Sequence, residues 1–257
     1  MPVHFLHLSK TGGSAIKQAI RDAGEPATKF GKIFLQPHPR TLDELPEDHH
    51  VFFTVRDPIA RFVSSFYSRL RKGRPKYFRD WSTGEEEAFG IFPTPQALGA
   101  GLASSDHRTR AAARAAMSEI RQLRRDLAKW LDSPALLKRR SDHIVYVARQ
   151  ETLAEDWELL KPILGYPPDI PLPSDPKASH RGEGSEDKSL DETATRALVK
   201  WYAKDYRLLA YCDKLRQERH WGSPMGELPS GATLLAAQAE GALERLKGRV
   251  SRARIST

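Results

Sequence analysis

Residues that could together bind an anion are consecutive near the start of the chain: Ser9, Lys10, Thr11, Gly12, Gly13 and Ser14. The two glycines let the backbone turn tightly and come close to a ligand. Lys10 adds a full positive charge, and the hydroxyls of Thr11 and Ser14 add hydrogen-bond donors. Apolar residues at helical spacing follow at once, so a helix N-terminus adds free amide groups. The segment is therefore predicted to bind phosphate.

The order of these residues differs from that of a Walker A loop, in which the lysine follows the last glycine. Here Lys10 precedes both glycines. A kinase or NTPase of the P-loop type stays open as an alternative. The simplest interpretation that assigns no function to the loop is an ordinary Gly-Gly turn beside a solvated lysine.

A second polar cluster follows the apolar run at residues 51–55. Arg56 comes directly after that run, where its guanidinium can fork onto a phosphate. Ser64 follows two helical turns later, on a face that could meet the same anion. Taken alone, this segment has a simpler structural interpretation, in which the Arg56 side chain pairs with Asp57. Because both clusters follow predicted strands in the same half of the chain, they favour two phosphate sites at one edge of a sheet.

The elements that position these clusters are predicted as alternating strands and helices. Apolar runs predict strands at residues 3–8, 33–35, 51–55 and 143–147. Apolar periodicity predicts helices at residues 15–20, 59–70, 107–132, 151–164 and 190–212, with Asp57 as an N-cap and Pro58 in the first turn. This order favours an α/β protein in three layers, with a central, mostly parallel sheet flanked by helices. Ligands of such sheets bind beyond the carboxyl ends of the strands.

The chain is predicted to form one α/β domain over residues 1–221. Within it, residues 73–140 are interpreted as a variable, mostly helical insertion, and residues 165–189 as an exposed loop. Residues 222–257 are predicted as a C-terminal helical extension with an amphipathic helix at 231–254. That helix could contact the core, a second subunit or an anionic membrane surface.

Composition narrows the class of protein further. A net charge of +8 and a pI of about 9.6 favour an anionic ligand. The single cysteine, Cys212, excludes an internal disulfide and a cysteine-cage metal site. No apolar run reaches the roughly 20 residues of a membrane span, and no signal peptide is recognised, so a cytoplasmic protein of bacterial type is expected. Nucleic-acid binding is a third alternative, disfavoured because RNA-recognition and zinc-finger motifs are missing.

Residues 5–14, Phe-Leu-His-Leu-Ser-Lys-Thr-Gly-Gly-Ser, resemble the loop that holds the 5′-phosphosulfate in carbohydrate-type sulfotransferases. Ser9 stands where that family commonly has proline. Residues 53–67 resemble the family's 3′-phosphate motif, with Arg56 and Ser64 at its arginine and serine positions. Weaker similarity at residues 146–153 and 201–206 extends the resemblance over about residues 3–212.

The resemblance implies a P-loop-like fold and transfer of a sulfuryl group from 3′-phosphoadenosine 5′-phosphosulfate to a hydroxyl. A saccharide or glycolipid is the favoured acceptor, the insertion at residues 73–140 is expected to help form the acceptor site, and the oligomeric state stays open. Lys10 is expected to stabilise the leaving 5′-phosphate together with Thr11 and the amides of Gly12, Gly13 and Ser14. Arg56 and Ser64 are expected to hold the 3′-phosphate. No metal is required, because Lys10 and the helix N-terminus supply positive charge.

The base that removes the acceptor proton has to titrate near neutrality, which favours histidine. His38 follows the second predicted strand by a short loop and is the predicted base. His7 precedes the phosphate loop and is expected to have a structural role. Arg181, beside His180 in the loop at residues 165–189, is expected to close over the donor.

Overall fold

The computed structural model describes residues 1–26, 28–173 and 186–223. Several predictions fall outside this part of the chain. They are the helix at residues 231–254, nearly all of the C-terminal extension, and the positions of His180 and Arg181.

A sheet of four parallel strands forms the centre of the molecule. Its strands are β1 (Val3–Leu6), β2 (Ile33–Leu35), β3 (His50–Val55) and β4 (Ile144–Arg149), in the order β2-β1-β3-β4. All four predicted strands are present, although β1 ends at Leu6 rather than at Leu8. Because every pair is parallel, the carboxyl ends of the strands share one edge of the sheet.

Helices cover both faces of this sheet. On one face, α1 (Gly13–Ala23) and α8 (Leu153–Leu164) pack against apolar side chains that include Phe5 and Phe52. On the other face, α2 (Pro58–Leu70) packs against the next residues of the same strands, Leu6 and Phe53. Alternate side chains of a strand point to opposite faces, so both faces need an apolar cover. The predicted three-layer α/β class is confirmed.

Five short helices fill the middle of the chain between α2 and β4. They are α3 (Thr83–Ile91), α4 (Pro95–Ala103), α5 (His107–Glu119), α6 (Ala128–Leu131) and α7 (Pro134–Arg139). The prediction of one helix over residues 107–132 is wrong, since α5 ends at Glu119. The Arg121 amide instead donates to the Glu85 carboxylate (3.0 Å), and the Leu127 amide donates to the Asp205 carboxylate (2.9 Å). These tertiary hydrogen bonds replace the helical ones.

The helix predicted at residues 190–212 is two helices, α9 (Glu192–Trp201) and α10 (Ala203–Glu218), which meet at Tyr202. Asp205, in the first turn of α10, accepts the amides of Leu127 and Ala128, so α10 anchors the loop that precedes α6. Among the described helices, none is both long enough and apolar enough to cross a bilayer.

Candidate active site

A cavity of about 980 Å³ opens at the carboxyl ends of β1, β2 and β3. Residues predicted separately from the sequence line it together: Lys10, Gly12, Gly13, Ser14, His38, Arg56 and Ser64. They come from the loops that follow three neighbouring strands and from the start of α1 and α2. This is the edge at which parallel sheets bind their ligands.

The loop between β1 and α1 has the backbone of an anion-binding turn. Lys10 and Gly12 both adopt left-handed conformations, with φ of 66° and 85°. Gly12 is the N-cap of α1, and no side chain accepts a hydrogen bond there. The amides of the first turn are therefore open to a ligand at the positive end of the helix.

Gly13 has no space for a side chain. A Cβ atom at this position would lie 2.6 Å from Cδ2 of His7 and 3.0 Å from Cζ of Phe5. Both contacts are with buried rings of β1 and the residue that follows it. The second glycine of the loop is therefore required by close packing of α1 on the strand.

Thr11 differs in position from its neighbours in the loop. Its hydroxyl is fully buried, donates to the carbonyl of Leu8 (3.0 Å) and shares a hydrogen bond with the hydroxyl of Thr54 (2.6 Å). The side chain ties the loop to β3 and does not line the cavity. This differs from the expectation that the Thr11 hydroxyl faces a phosphate.

Lys10 lies in a strongly electropositive setting. Burial, together with the charges of Arg56, Arg71 and Arg61, lowers the pKa of Lys10 to about 8. Among the described residues, no carboxylate forms an ion pair with its ammonium group. Arg71 is paired with Glu186, but each charged group that shifts the pKa of Lys10 is an arginine, and this surplus of positive charge fits an anionic ligand.

Arg56 completes this arrangement from the end of β3. One of its terminal nitrogens donates to the carbonyl of Lys10 (3.4 Å), while its Nε is buried without a partner in the described part of the chain. The alternative pairing with Asp57 is not formed. Asp57 caps α2 by accepting the amide of Ala60 (2.7 Å) and also accepts the hydroxyl of Tyr206 (3.0 Å). The N-cap prediction for Asp57 is confirmed.

His38 lies at the mouth of the same cavity. Its Nδ1 is 3.0 Å from the carbonyl oxygen of His7. A carbonyl oxygen can only accept, so Nδ1 carries the hydrogen and Nε2 of the neutral ring is free to accept a proton. Although the residue as a whole is exposed, atoms packed around its ring lower its pKa. The hydrogen bond to His7 opposes this shift, and the charges of Lys17, Lys76 and Arg125 add to it.

Two buried residues that support the cavity were not predicted from the sequence. Arg61 is fully buried in α2 and donates to the carbonyls of Ser9 (3.0 Å) and Arg125. Trp130 lies under its guanidinium (5.2 Å to the ring centroid) and donates from Nε1 to the carbonyl of His38 (2.6 Å). The sequence gives little indication that Arg61 is buried for a reason specific to the site, because Ser65 and Arg69 are also buried polar residues of α2.

Comparison with known proteins assigns the chain to a family. The model of the sulfotransferase family matches residues 3–212. Because the match covers most of the chain, including the whole site, the chain belongs to the sulfotransferase family and is an enzyme that transfers sulfate. No curated protein and no solved structure gives a significant match. Within the described residues, no group of three or more His, Cys, Asp or Glu side chains is arranged to hold a metal ion.

Proposed function

We propose that the enzyme transfers a sulfuryl group from 3′-phosphoadenosine 5′-phosphosulfate to a hydroxyl of an anionic saccharide. One observation carries the donor assignment. Lys10 and Arg56 meet at the uncapped N-terminus of α1, and neither forms an ion pair with a carboxylate among the described residues, although Glu151 and Asp57 partly offset the lowering of the Arg56 pKa by burial. Two cations that line the same cavity can each bind one anionic group of a donor that carries such groups at both its 5′ and its 3′ position.

The residues divide between the two ends of the donor. Lys10 and the amides of Gly12, Gly13 and Ser14 would hold the 5′-phosphosulfate, and Thr11 would take part through its amide. Arg56 and Ser64 would hold the 3′-phosphate, since both line the part of the cavity formed by β3 and α2. Arg181 remains a predicted donor contact outside the described residues.

The chemistry needs charge stabilisation, an acceptor oxygen in line with the sulfur–oxygen bond that breaks, and a base beside that oxygen. His38 would take the hydroxyl proton on Nε2 as the acceptor oxygen bonds to sulfur. Lys10 would stabilise the negative charge that collects on the 5′-phosphate as its bond to sulfur breaks. The products are the sulfated acceptor and adenosine 3′,5′-bisphosphate, and the proton stays on His38 until it exchanges with solvent.

The surroundings of the predicted base are also electropositive. Lys17 on α1, Lys76 after α2 and Arg125 before α6 all act on the His38 ring, and all three lower its pKa. None of them forms an ion pair with a carboxylate in the part of the chain that the structure describes. These cations lie beside the base and are separate from Lys10 and Arg56, which favours an acceptor with its own negative charge.

Ligand binding separates this proposal from the P-loop kinase and NTPase alternative. Adenosine 3′,5′-bisphosphate is expected to raise the melting temperature of the protein and ATP with magnesium to leave it nearly unchanged, because a ligand stabilises the state that binds it. The opposite pattern would refute the donor assignment. Arg56→Gln should weaken binding of the bisphosphate, whereas Arg196→Gln, on the exposed face of α9, should not.

Activity is tested with labelled donor and matched charged and neutral saccharides. Lys10→Ala is expected to lower kcat by about 10²–10³-fold, the usual loss when one charge-stabilising group is removed. His38→Ala is expected to lower kcat by about 10²–10⁴-fold. Full activity in both variants would refute the two catalytic roles.

A further inference from the structure

His7 is the residue through which the phosphate loop and the base contact each other. It directly follows β1 and is buried, with 5% of its surface exposed. The edge of its ring packs on the backbone of Gly13, where a Cβ atom would lie 2.6 Å from Cδ2. Its face lies against the ring of His38, with 3.9 Å between centroids and 35° between planes. One imidazole therefore fills the space between the start of α1 and the base.

The same residue also contacts His38 through its main chain. The carbonyl of His7 accepts the Nδ1 hydrogen of His38 (3.0 Å), which sets the tautomer of the base. A single hydrogen bond leaves the His38 ring free to rotate about it, and His38 lies in a turn. The ring contact removes that freedom, because two packed rings have a defined relative orientation.

We infer that the imidazole of His7 is a positioning residue that fixes the distance and orientation of His38 relative to the 5′-phosphosulfate loop. The inference rests on the proposed function. The His7 ring acts through its packing between Gly13 and His38, and it transfers no proton. Lys10 and Arg56, which would bind the donor, lie outside these ring contacts.

The variants His7→Leu and His7→Phe test this role. In His7→Leu the stacked ring is lost, so kcat should fall by up to about 10²-fold, the cost of misplacing a reacting group by about 1 Å. The dissociation constant of adenosine 3′,5′-bisphosphate, measured by calorimetry, should change less than twofold. His7→Phe keeps a flat ring against His38 and should retain most of the wild-type kcat. If His7→Phe is as impaired as His7→Leu, or if His7→Leu is fully active, the inference is wrong.

A second readout does not depend on activity. Burial lowers the pKa of His38, and the ring of His7 is one of the groups packed against it, so a smaller side chain that lets water reach His38 should raise that pKa towards the ordinary value. NMR titration of the His38 ring should therefore show a higher pKa in His7→Leu than in the wild type and in His7→Phe. An unchanged His38 titration in His7→Leu would contradict the inference.

A matched control separates positioning from a general effect of replacing a buried histidine. His4 is also buried on β1, but it bonds with His49 (2.8 Å) and Gln36 (2.6 Å), away from the cavity. His4→Leu should leave kcat and the His38 titration unchanged. If the wild type fails to bind the bisphosphate, the proposed function is at fault. If the wild type binds and transfers but His7→Leu behaves like it, only the role of His7 is refuted.

Discussion

The Nε of Arg61 donates to the carbonyl of Ser9 at 3.0 Å, which ties the interior of α2 to the residue that opens the loop between β1 and α1. The other end of the same guanidinium donates to the carbonyl of Arg125, and its flat face lies over Trp130. Trp130 in turn donates to the carbonyl of His38. One buried cation therefore supports both the loop that carries Lys10 and the loop that carries His38.

Replacing Arg61 should destabilise the whole site. Arg61→Ala leaves the carbonyls of Ser9 and Arg125 without this donor and opens a cavity above Trp130. The free energy of unfolding, measured by urea denaturation, is expected to fall by about 2–4 kcal/mol. Arg196→Ala, an exposed arginine paired with Glu192, should change it by less than about 0.5 kcal/mol. Equal effects of the two variants would contradict this role of Arg61.

The close packing of Gly13 gives a prediction about donor binding. In Gly13→Ala the new methyl group would overlap the rings of His7 and Phe5, so the first turn of α1 has to shift. The affinity for adenosine 3′,5′-bisphosphate, measured by calorimetry, should fall at least about tenfold, since the amides proposed to hold the 5′ group are displaced. Gly90→Ala is the control, because a Cβ atom there meets nothing within 4 Å. Undiminished affinity in Gly13→Ala would show that the loop tolerates a side chain.

The lowered pKa of Lys10 predicts how donor binding depends on pH. In the free protein Lys10 loses its proton near pH 8, whereas a bound anion favours the charged form and raises that pKa. Binding above pH 8 must therefore take up a proton. The affinity for adenosine 3′,5′-bisphosphate should fall as the pH rises from 8 to 9, by up to about tenfold per pH unit.

Lys10→Arg is the control for this pH dependence, because arginine keeps its proton throughout the range. Its affinity for the bisphosphate should be nearly constant between pH 7 and pH 9. The same slope in Lys10→Arg and in the wild type would assign the pH dependence to a group other than Lys10.

The meeting of Lys10, the loop glycines and Arg56 at one cavity could be predicted from the sequence because its determinants are local. Lys10, Gly12 and Gly13 are consecutive or nearly so, and Arg56 directly follows an apolar strand. Parallel strands bring such ends to one edge, so the motifs predict the place as well as the residues. His38 also follows a strand, and the same rule brings it to the cavity.

The rest depends on contacts between residues far apart in the chain. The break after Glu119 results from hydrogen bonds to Glu85 and Asp205, which the apolar spacing of residues 107–132 does not reveal. The support of His38 by Trp130 likewise joins residues separated by more than ninety positions. The inward turn of the Thr11 hydroxyl depends on Thr54 in another strand. Local patterns predict elements and strand ends, but they do not predict such tertiary partners.

The acceptor side gives the last prediction. Lys76 is exposed, acts on His38 and has no carboxylate partner among the described residues, so its charge is available to an anionic acceptor. Lys76→Gln should raise the KM of a carboxylated or sulfated saccharide roughly two- to fivefold, the size expected for one exposed charge. It should leave the KM of a matched neutral saccharide and the affinity for adenosine 3′,5′-bisphosphate unchanged.

The control for Lys76 is Lys214→Gln, which removes an exposed lysine paired with Glu218 on α10 and should leave both KM values at the wild-type level. Added salt should reduce the difference between the wild type and Lys76→Gln, because it screens exposed charges. An equal rise of KM for charged and neutral saccharides would mean that Lys76 shapes the cavity instead of recognising charge. The cations beside His38 would then have to be assigned to long-range attraction of the donor, and the acceptor could be neutral.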